Sequence, residues 1–303
     1  MARSAKRPRG TGGPRRALHP GRARTARGSG RRAARPAPAG GQGPAAERPI
    51  VTLLTDFTAG SGYPAQMKAV VLQFLPDAQI VDLSHEVPPF DVVSGALLLE
   101  ACAPRFPARA VHCAVVDPGV GTARRPVCVV DAAGHRFVGP DNGLFTPFLG
   151  PAARVYQLSD RRVVPEPESA TFHGRDLFAP VAAWLAGGGD PVRLGPRVPD
   201  PVRADWPEPR RRGDAVEGVC LAADPFGNIV TSIAARHLRG GRVREVTVAG
   251  RPVRFVRTYG EGEPGELLAV LGSNGRLEVA AREGSAARHL GALRGTPVVV
   301  RMG

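Results

Sequence analysis

Short apolar segments that alternate with segments of helical periodicity constrain the fold of this sequence more than any other feature. Strands are predicted at 50–54, 78–83, 110–116, 127–130 and 136–138, with a loop at 139–143. Helices are predicted at 67–74 and 92–101, the second with Asp91 as its N-cap. Strands and helices that alternate at this rhythm are typical of a mainly parallel sheet with helices on its faces. The sequence therefore predicts the α/β fold class for an N-terminal domain at 49–192.

The pattern changes after residue 192. The segment 193–213 is rich in Pro and Arg and has no periodicity, so it is predicted to be a linker. Short strands separated by turn residues follow, at 218–223, 229–233, 243–248, 267–271, 277–281 and 298–301. This spacing predicts a smaller, mostly-β C-terminal domain at 214–303.

The basic charge of the chain is concentrated at its N-terminus. Residues 1–48 contain thirteen Lys or Arg and one Glu, whereas the remaining 255 residues carry 28 basic and 26 acidic side chains. An Arg/Pro/Gly/Ala segment without large apolar residues is expected to be disordered. It is either a polybasic arm or, as we expect, a dispensable extension. Because the remainder is nearly neutral, we do not expect nucleic acid as a partner.

The cysteines and the lack of long apolar runs bear on the compartment. Cys102, Cys113, Cys128 and Cys220 form no C-x-x-C pair, and most lie in apolar runs, so we expect buried thiols in a reducing environment. The sequence shows no run long enough for a membrane span and no apolar signal segment. We therefore expect a soluble cytoplasmic protein.

Polar residues follow the apolar strands, where α/β sheets bind ligands. Asp56 ends the first strand, and V-V-D-P-G-V-G-T-A-R-R at 115–125 ends the third with Asp117 and Arg124. A third cluster begins at His173, and a fourth, D-P-F-G-N at 224–228, lies in the second domain. These clusters favour a site in a cleft between the domains.

The residue types in these clusters allow two kinds of chemistry. A carboxylate at a strand end can accept hydrogen bonds from both hydroxyls of a ribose, and an Asp–Arg–His set can position and polarise a water molecule. Asp and His at wide spacing could instead ligate a divalent ion, although the sequence contains neither H-x-x-x-H nor H-E-x-x-H. The spacing of the residues leaves both alternatives open.

Eight motifs in a fixed order carry a resemblance to a known family. They are T-D-F at 55–57, Y-x-x-x-M-K at 63–68, I-V-D-L-S-H-x-V-P-P at 80–89, V-V-D-P-G-V-G-T-x-R-R at 115–125, F-V-G-P-D-N-G-L at 137–144, T-F-H-G-R-D-x-F-A-P-V-A at 171–182, D-x-F-G-N at 224–228 and G-x-L-E at 275–278. Together they resemble the S-adenosylmethionine hydrolase family (S-adenosylmethionine hydroxide adenosyltransferases), relatives of the fluorinase and chlorinase enzymes. The resemblance covers about residues 49–303.

The resemblance implies a fold, a reaction and an assembly. It implies a two-domain subunit in a homotrimer, with each site between the first domain of one subunit and the second domain of a neighbour. It implies hydrolysis of S-adenosyl-L-methionine to adenosine and L-methionine by attack of water at the ribose C5′ carbon, without metal or organic cofactor. It also implies roles for nine residues: Asp117, Arg124 and His173 around the water, Asp56 at the ribose, Asn228 at the nucleoside, Asp224 and Ser273 at the methionine end, and Glu278 and Glu283 at the adenine edge.

Two alternatives accompany this resemblance. The halogenases of the family are expected to carry Tyr at the position of Asp117, and a carboxylate there would repel a halide, so the sequence favours the hydrolase. A catalytically weak sensor that binds adenosine or S-adenosylmethionine is the other alternative. The first loop departs from the family pattern at Thr58, Ser61, Pro64 and Ala65, and we expect these departures to affect substrate affinity. His85 is expected to order its loop.

Overall fold

A computed structural model of the protein describes residues 48–292 and 294–303. The first part of the chain forms a sheet with helices. The elements of this part are β1 Ile50–Thr55, α1 Tyr63–Phe74, β2 Gln79–Ser84, α2 Val92–Cys102, β3 Val111–Val115, β4 Pro126–Val130, β5 Arg136–Pro140, β6 Arg154–Gln157 and α3 Ala179–Ala186. The predicted disordered tail, apart from Arg48, lies outside the described residues. Arg48 itself donates from Nε to the carbonyl oxygen of Asp77.

The first sheet has six strands in the order β2-β1-β3-β5-β4-β6. The pairs β1–β2, β1–β3 and β3–β5 are parallel, whereas β4 runs antiparallel to both β5 and β6. The α/β class is therefore confirmed, with an antiparallel edge on a parallel sheet. Strand β6 was not expected, since four residues are too few to show a period, and β5 continues to Pro140 where a loop was expected from residue 139.

Helices cover both faces of this sheet because side chains alternate along each strand. On β3, Val111, Cys113 and Val115 pack in one cluster with residues of α1 and α3. Ala114 and the following Val116 pack in a second cluster with residues of α2. Helix α2 begins where the sequence indicated, because the Asp91 carboxylate accepts a hydrogen bond from the backbone N–H of Ser94.

The second part of the chain is a mostly-β unit. Its elements are β7 Arg210–Arg212, β8 Ala215–Ala223, β9 Ile229–Ala234, β10 Val243–Val248, β11 Arg251–Val256, β12 Leu267–Leu271, β13 Arg276–Ala281, α4 Ala286–Leu290 and β14 Pro297–Met302. The strand order is β14-β10-β11-β12-β13-β9-β8-β7, and an additional β14–β8 pairing closes the sheet into a barrel. Two strands were not predicted: β11, and β7, which lies inside the expected linker.

Two ion pairs hold the barrel against α2. The guanidinium of Arg276 on β13 donates to both carboxylate oxygens of Glu100, at 2.6 and 2.9 Å, and lies 4.6 Å from the ring centroid of Trp206. Arg276 is 3% exposed, so the pair is shielded from solvent. Arg294 donates to both oxygens of Asp91. Bidentate contacts of this kind fix orientation as well as distance, so they set the register between the two parts.

The cysteines are free thiols. Cys113, Cys128 and Cys220 are buried and Cys102 is half-buried, as expected from the apolar runs that contain them. Burial raises the pKa of the Cys113 and Cys128 thiols to about 12, so neither is a nucleophile at neutral pH. In the described part of the chain, no helix has the length and apolar character of a membrane span.

Candidate active site

The register of β1 and β3 brings two of the predicted carboxylates to one edge of the sheet. Thr55, the last residue of β1, pairs with Val115, the last residue of β3, in a parallel register. Asp56 follows Thr55 directly, and Asp117 lies just beyond Val115. Both carboxylates therefore leave neighbouring strands at the carboxyl edge, where the sequence pattern placed them.

A tight turn after β3 returns the chain so that Arg124 meets Asp117. Gly121 adopts a positive φ of 78°, and the Thr122 hydroxyl donates to the carbonyl oxygen of Gly119 at 2.7 Å. A Cβ on Gly119 would lie 3.2 Å from Cγ of Arg124, so glycine leaves room for the arginine stem. Spacing in sequence and turn geometry together bring the two charges into contact.

Asp117 and Arg124 form a buried, multiply hydrogen-bonded ion pair. Nε of Arg124 donates to Oδ1 and Oδ2 of Asp117 at 3.0 Å each, and Nη2 donates to Oδ2 at 2.5 Å. The exposed fractions of the two side chains are 9% for Arg124 and 5% for Asp117. The Arg124 guanidinium also lies 5.3 Å from the ring centroid of Phe178, which shields it further.

His173 completes this cluster through the same guanidinium. Nη2 of Arg124 lies 2.7 Å from Nδ1 of His173. Because a guanidinium only donates, Nδ1 must accept, and we infer that the neutral imidazole carries its hydrogen on Nε2. Burial lowers the pKa of His173, and the positive charge of Arg124 adds to the effect. The cluster is thus built around a neutral histidine with one free N–H.

A π-helical segment places His173. Residues Gly174–Phe178 form one π-helical turn, directly before α3. Such turns are rare and occur frequently at functional sites. Phe172, which precedes His173, packs edge-on against Phe57 with ring centroids 5.8 Å apart. Since Phe57 follows Asp56, this contact brings the Asp56 loop next to the His173 loop.

The structure adds Phe90 to the residues predicted from sequence. Oδ2 of Asp56 accepts a hydrogen bond from the backbone N–H of Phe90 at 2.9 Å. Phe90 has a positive φ of 66° and its side chain is 70% exposed. An exposed aromatic ring held in an uncommon backbone conformation beside a carboxylate is a feature that binding explains better than packing. The hydrophobic pattern alone could not have distinguished it.

In the barrel, Asp224 organises its own loop. Its carboxylate accepts from the backbone N–H groups of Phe226 and Asn228 and from Nδ2 of Asn228, at 2.8–2.9 Å. This arrangement presents the ring of Phe226, which is 80% exposed, at the tip of the loop. Asp224 and Asn228 therefore lie together, and Phe226 is a second exposed aromatic residue that sequence reasoning missed.

Glu278 lies near this loop and is paired with Tyr259. The Tyr259 hydroxyl donates to Oε2 of Glu278 at 3.1 Å. Burial raises the pKa of Glu278, and the charge of Asp224 contributes to the increase, which shows that the two carboxylates are neighbours. A Cβ on Gly272 would lie 2.0 Å from Oε1 of Glu278, so a side chain at this position would force the carboxylate to move. Tyr259 was not predicted.

Ser273 and Glu283 lie at the surface of the barrel. The side chain of Ser273 is exposed, and its carbonyl oxygen lies 3.5 Å from Nη2 of Arg105. Glu283 is exposed, has a positive φ of 56° and lies 3.5 Å from Nε of Arg282. Their predicted roles rest on the resemblance alone.

The residues of the candidate site thus form two groups. The predicted Asp56, Asp117, Arg124 and His173 make up the first-domain group. The barrel group consists of the predicted Asp224, Asn228 and Glu278 together with Phe226 and Tyr259, which the structure adds. Within residues 48–292 and 294–303, no hydrogen bond or ion pair joins one group to the other.

A cleft lies between the two parts of the chain, where the polar clusters were expected to meet. It is a cavity of about 500 Å³, lined among others by Glu86, Leu97, Asp224 and Arg276. Asp224 is the only predicted site residue in its lining, so the cleft does not contain the Asp117–Arg124–His173 cluster. The described residues also contain no group of three or more His, Cys, Asp or Glu side chains placed to hold a metal ion.

The chain combines an α/β sheet and a β barrel with an Asp–Arg–His cluster at the carboxyl edge of the sheet. The sequence profile of the SAM hydroxide adenosyltransferase N-terminal domain matches residues 51–195, and that of the C-terminal domain matches residues 218–299. The chain belongs to the SAM hydroxide adenosyltransferase family.

Similar proteins agree with this membership. The chain is 44% identical to the (R)-S-adenosyl-L-methionine hydrolase of Thermus thermophilus over 83% of this chain and 98% of the relative. It is 39% identical to the enzyme of the same name from Salinispora tropica, over 85% and 100% of the two chains. The fluorinase of Nocardia brasiliensis is 28% identical over 84% and 98%.

Solved structures are similar as well. The crystal structure of an uncharacterized conserved protein from Thermotoga maritima matches with a TM-score of 0.74 and 32% identity, over 83% of this chain and 99% of that one. The crystal structure of a conserved hypothetical protein from Thermus thermophilus matches with a TM-score of 0.70 and 42% identity, over 84% and 99%. Both matches extend over the sheet and the barrel.

Proposed function

We propose that the protein hydrolyses S-adenosyl-L-methionine to adenosine and L-methionine. The observation that carries this proposal is the buried Asp117–Arg124 pair with the half-buried His173 beside it, which offers one carboxylate acceptor and one imidazole N–H donor at the edge of the sheet. Water is a weak nucleophile, and this pair of groups is suited to orient it and to accept its proton. The names of the relatives, (R)-S-adenosyl-L-methionine hydrolase, support the choice of substrate.

The reaction needs little besides a well-placed water. The oxygen of water forms a bond to C5′ while the C5′–S bond breaks, and the electron pair leaves with sulfur as a neutral thioether. The leaving group therefore needs no proton. His173 donates from Nε2 to the water oxygen, and Asp117 accepts the proton that the water loses. Since water is the only co-reactant, we propose that no metal or organic cofactor takes part.

Substrate binding is divided between the two groups of residues. Asp56 accepts hydrogen bonds from the ribose hydroxyls, and the exposed ring of Phe90 stacks against the base. In the barrel group, Asn228 and Phe226 contact the nucleoside and Glu278 accepts from the adenine amino group. Asp224 and Ser273 lie at the methionine end, and Glu283 at the adenine edge.

A homotrimer accounts for the separation of the two groups. Because the barrel group has no hydrogen bond to the Asp117 cluster within the described part of the chain, a second copy that supplies its barrel group would complete the site. We propose that each site lies between the first domain of one subunit and the barrel of the next. The exposed Phe226 side chain supports this arrangement.

Products identify the reaction and distinguish it from the halogenase alternative. Purified protein is incubated with S-adenosyl-L-methionine in ¹⁸O-labelled water, with and without chloride, and products are separated by chromatography and mass spectrometry. We expect equal amounts of adenosine and methionine, with the label in the 5′-hydroxyl of adenosine. A 5′-chloro nucleoside would establish halide transfer instead, and adenosine binding without turnover would establish a sensor. The Asp117→Asn variant serves as the inactive control.

A further inference from the structure

A chain of polar contacts lies behind the loop that carries Asp56. Oγ1 of Thr55 accepts a hydrogen bond from the backbone N–H of Phe57 at 3.2 Å and lies 2.9 Å from Nδ1 of His85. The backbone N–H of Thr58 donates to the carbonyl oxygen of His85 at 2.8 Å. The side chain and the backbone of His85 therefore both contact the loop, on either side of Asp56.

The chain continues from His85 to the surface. Nε2 of His85 lies 3.1 Å from Oδ1 of Asp82, a contact within ion-pair distance that does not meet hydrogen-bond geometry. The other carboxylate oxygen of Asp82 contacts Nζ of Lys68 at 2.5 Å. His85 is 7% exposed, whereas the side chains of Asp82 and Lys68 are 40% and 36% exposed. Asp82 thus holds the outer nitrogen of a buried imidazole.

A carboxylate, an imidazole and a hydroxyl in series are the parts of a nucleophilic triad. Thr55, however, is 0% exposed, so its hydroxyl cannot reach a substrate. In the neutral tautomer with hydrogen on Nε2, the Thr55 hydroxyl donates to Nδ1 and its oxygen remains free to accept from Phe57 N–H. The Thr55 hydroxyl and Nδ1 of His85 then have hydrogen-bond partners, whereas Nε2 of His85 has only its contact at ion-pair distance with Asp82. The series ends on the protein's own backbone, so it orders structure and performs no chemistry.

Asp56 is the residue that this ordering affects. Its neighbours on both sides, Thr55 and Phe57, are connected through the Thr55 hydroxyl, and its own carboxylate is bound by Phe90 N–H from the segment that follows His85. We propose that His85 is a positioning residue that sets the orientation of the Asp56 carboxylate toward the ribose hydroxyls. This inference rests on the ribose-binding role of Asp56 in the proposed function.

Removal of the imidazole tests the proposal. In His85→Leu the loop loses its anchor, and because Asp56 binds the ribose in ground state and transition state alike, we expect KM to rise about tenfold while kcat changes less than about twofold. His85→Asn keeps an acceptor near the Nδ1 position and should restore most of the affinity. If His85→Leu fails to fold, comparison of His85→Asn with Asp82→Asn provides the same contrast between the inner and the outer contact.

His112 provides a matched control. It lies on β3 and is 0% exposed. Its Nδ1 is 2.8 Å from Oγ1 of Thr52, which lies on β1 three residues before Thr55. Its Nε2 is also a buried nitrogen without a hydrogen-bond partner among the described residues. His112→Leu removes an equivalent Thr–His contact away from Asp56, so we expect lower thermal stability and an unchanged KM. An equal rise in KM in both variants would overturn the proposal.

A double-mutant cycle separates positioning from general destabilisation. In an Asp56→Ala background, His85→Leu should raise KM no further, because the group that it positions is gone. Additive effects on KM would contradict the proposal.

Hydrogen exchange gives a readout that requires no turnover. The amides of Phe57 and Phe90 should exchange at least about tenfold faster in His85→Leu than in His112→Leu. If the protein does not hydrolyse S-adenosylmethionine, the proposed function fails, and the exchange rates still decide whether His85 orders the Asp56 loop. Unchanged exchange at both amides would rule out the inference even for an active enzyme.

Discussion

The first-domain group and the barrel group differ in solvent exposure and in how many of their polar atoms have hydrogen-bond partners within the same group. Asp117, Arg124 and His173 are linked by hydrogen bonds, and both charges of the Asp117–Arg124 ion pair are almost fully buried. In the barrel group, Phe226 and Tyr259 are 80% and 44% exposed, and Asp224 directs its hydrogen bonds to its own loop. The first-domain group is therefore preorganised, whereas the barrel group exposes aromatic side chains at its surface.

In the proposed reaction, this difference corresponds to different tasks. Groups that stabilise a transition state must be fixed before the substrate arrives, because reorganisation during the reaction raises the barrier. Groups that recognise the substrate can gain their partners on binding. We therefore expect substitutions in the first-domain group to lower kcat, and substitutions in the barrel group to raise KM.

The largest expected effect is that of Asp117→Asn. The substitution removes the carboxylate that accepts the proton from water and leaves the buried Arg124 charge without its counterion, so kcat should fall by about 10³-fold with little change in KM. Asp141→Asn is the matched control, since Asp141 is a buried carboxylate paired with the adjacent Arg125. It should lower thermal stability and leave kcat intact. Similar kcat values for the two variants would remove the distinction between the groups.

Mixed oligomers test whether the two groups meet between subunits. At substrate concentrations well below KM, a chain with Asp117→Asn and a chain with both Asn228→Ala and Glu278→Ala are each expected to be nearly inactive. When the two are co-expressed in equal amounts, about a quarter of the interfaces combine two intact groups, so about a quarter of wild-type activity should return. No recovery in verified mixed oligomers would place the complete site within one chain. The cleft beside Asp224 would then be the candidate location of that site.

The pH dependence should reflect a histidine that is hard to protonate. The pKa of His173 is lowered from 6.5, and protonation would put a hydrogen on Nδ1 against Arg124. The acid limb of kcat/KM, with about a tenfold fall per pH unit, should therefore lie below pH 6.5. Because the unfolded chain has the higher pKa and binds the proton first, this residue should also reduce folding stability as the pH falls from 6.5 toward the folded pKa.

A variant without the imidazole isolates this titration. His173→Asn should have a lower kcat/KM and should lack the acid limb that belongs to the histidine. Persistence of the same limb in the variant would attribute it to another group. A limb at or above pH 6.5 in the wild-type protein would show that burial and Arg124 do not control this residue.

The smallest expected effect comes from Glu278→Gln. The amide oxygen can still accept from the Tyr259 hydroxyl, but the charge that favours an adenine amino group is lost, so KM should rise about tenfold with kcat unchanged. Because the pKa of Glu278 is raised, the ionised form is disfavoured in the folded state, and the substitution should not lower the melting temperature. Glu266→Gln, which breaks an exposed pair with Arg254, should change neither KM nor kcat. A fall in kcat would place Glu278 with the catalytic groups.

Much of the architecture could be predicted because it depends on local periodicity. The strands of the first sheet up to β3 and the N-cap Asp91 follow from apolar spacing and capping chemistry, which act within a few residues. The strands β6, β7 and β11 could not be predicted, since short segments rich in Arg gain their pairing from neighbours that are distant in sequence.

The sequence by itself determined which residues are candidates for the site, because motifs such as V-V-D-P-G-V-G-T-A-R-R combine a strand end, a tight turn and charged groups in one short stretch. Only the tertiary structure decided which of them meet. It joined Arg124 to His173, 49 positions away, and it placed His85 behind Asp56. It also added Phe90 and Tyr259, whose neighbours are set by long-range packing. Local chemistry is encoded in spacing, whereas contact between distant segments depends on how the sheet and the barrel are assembled.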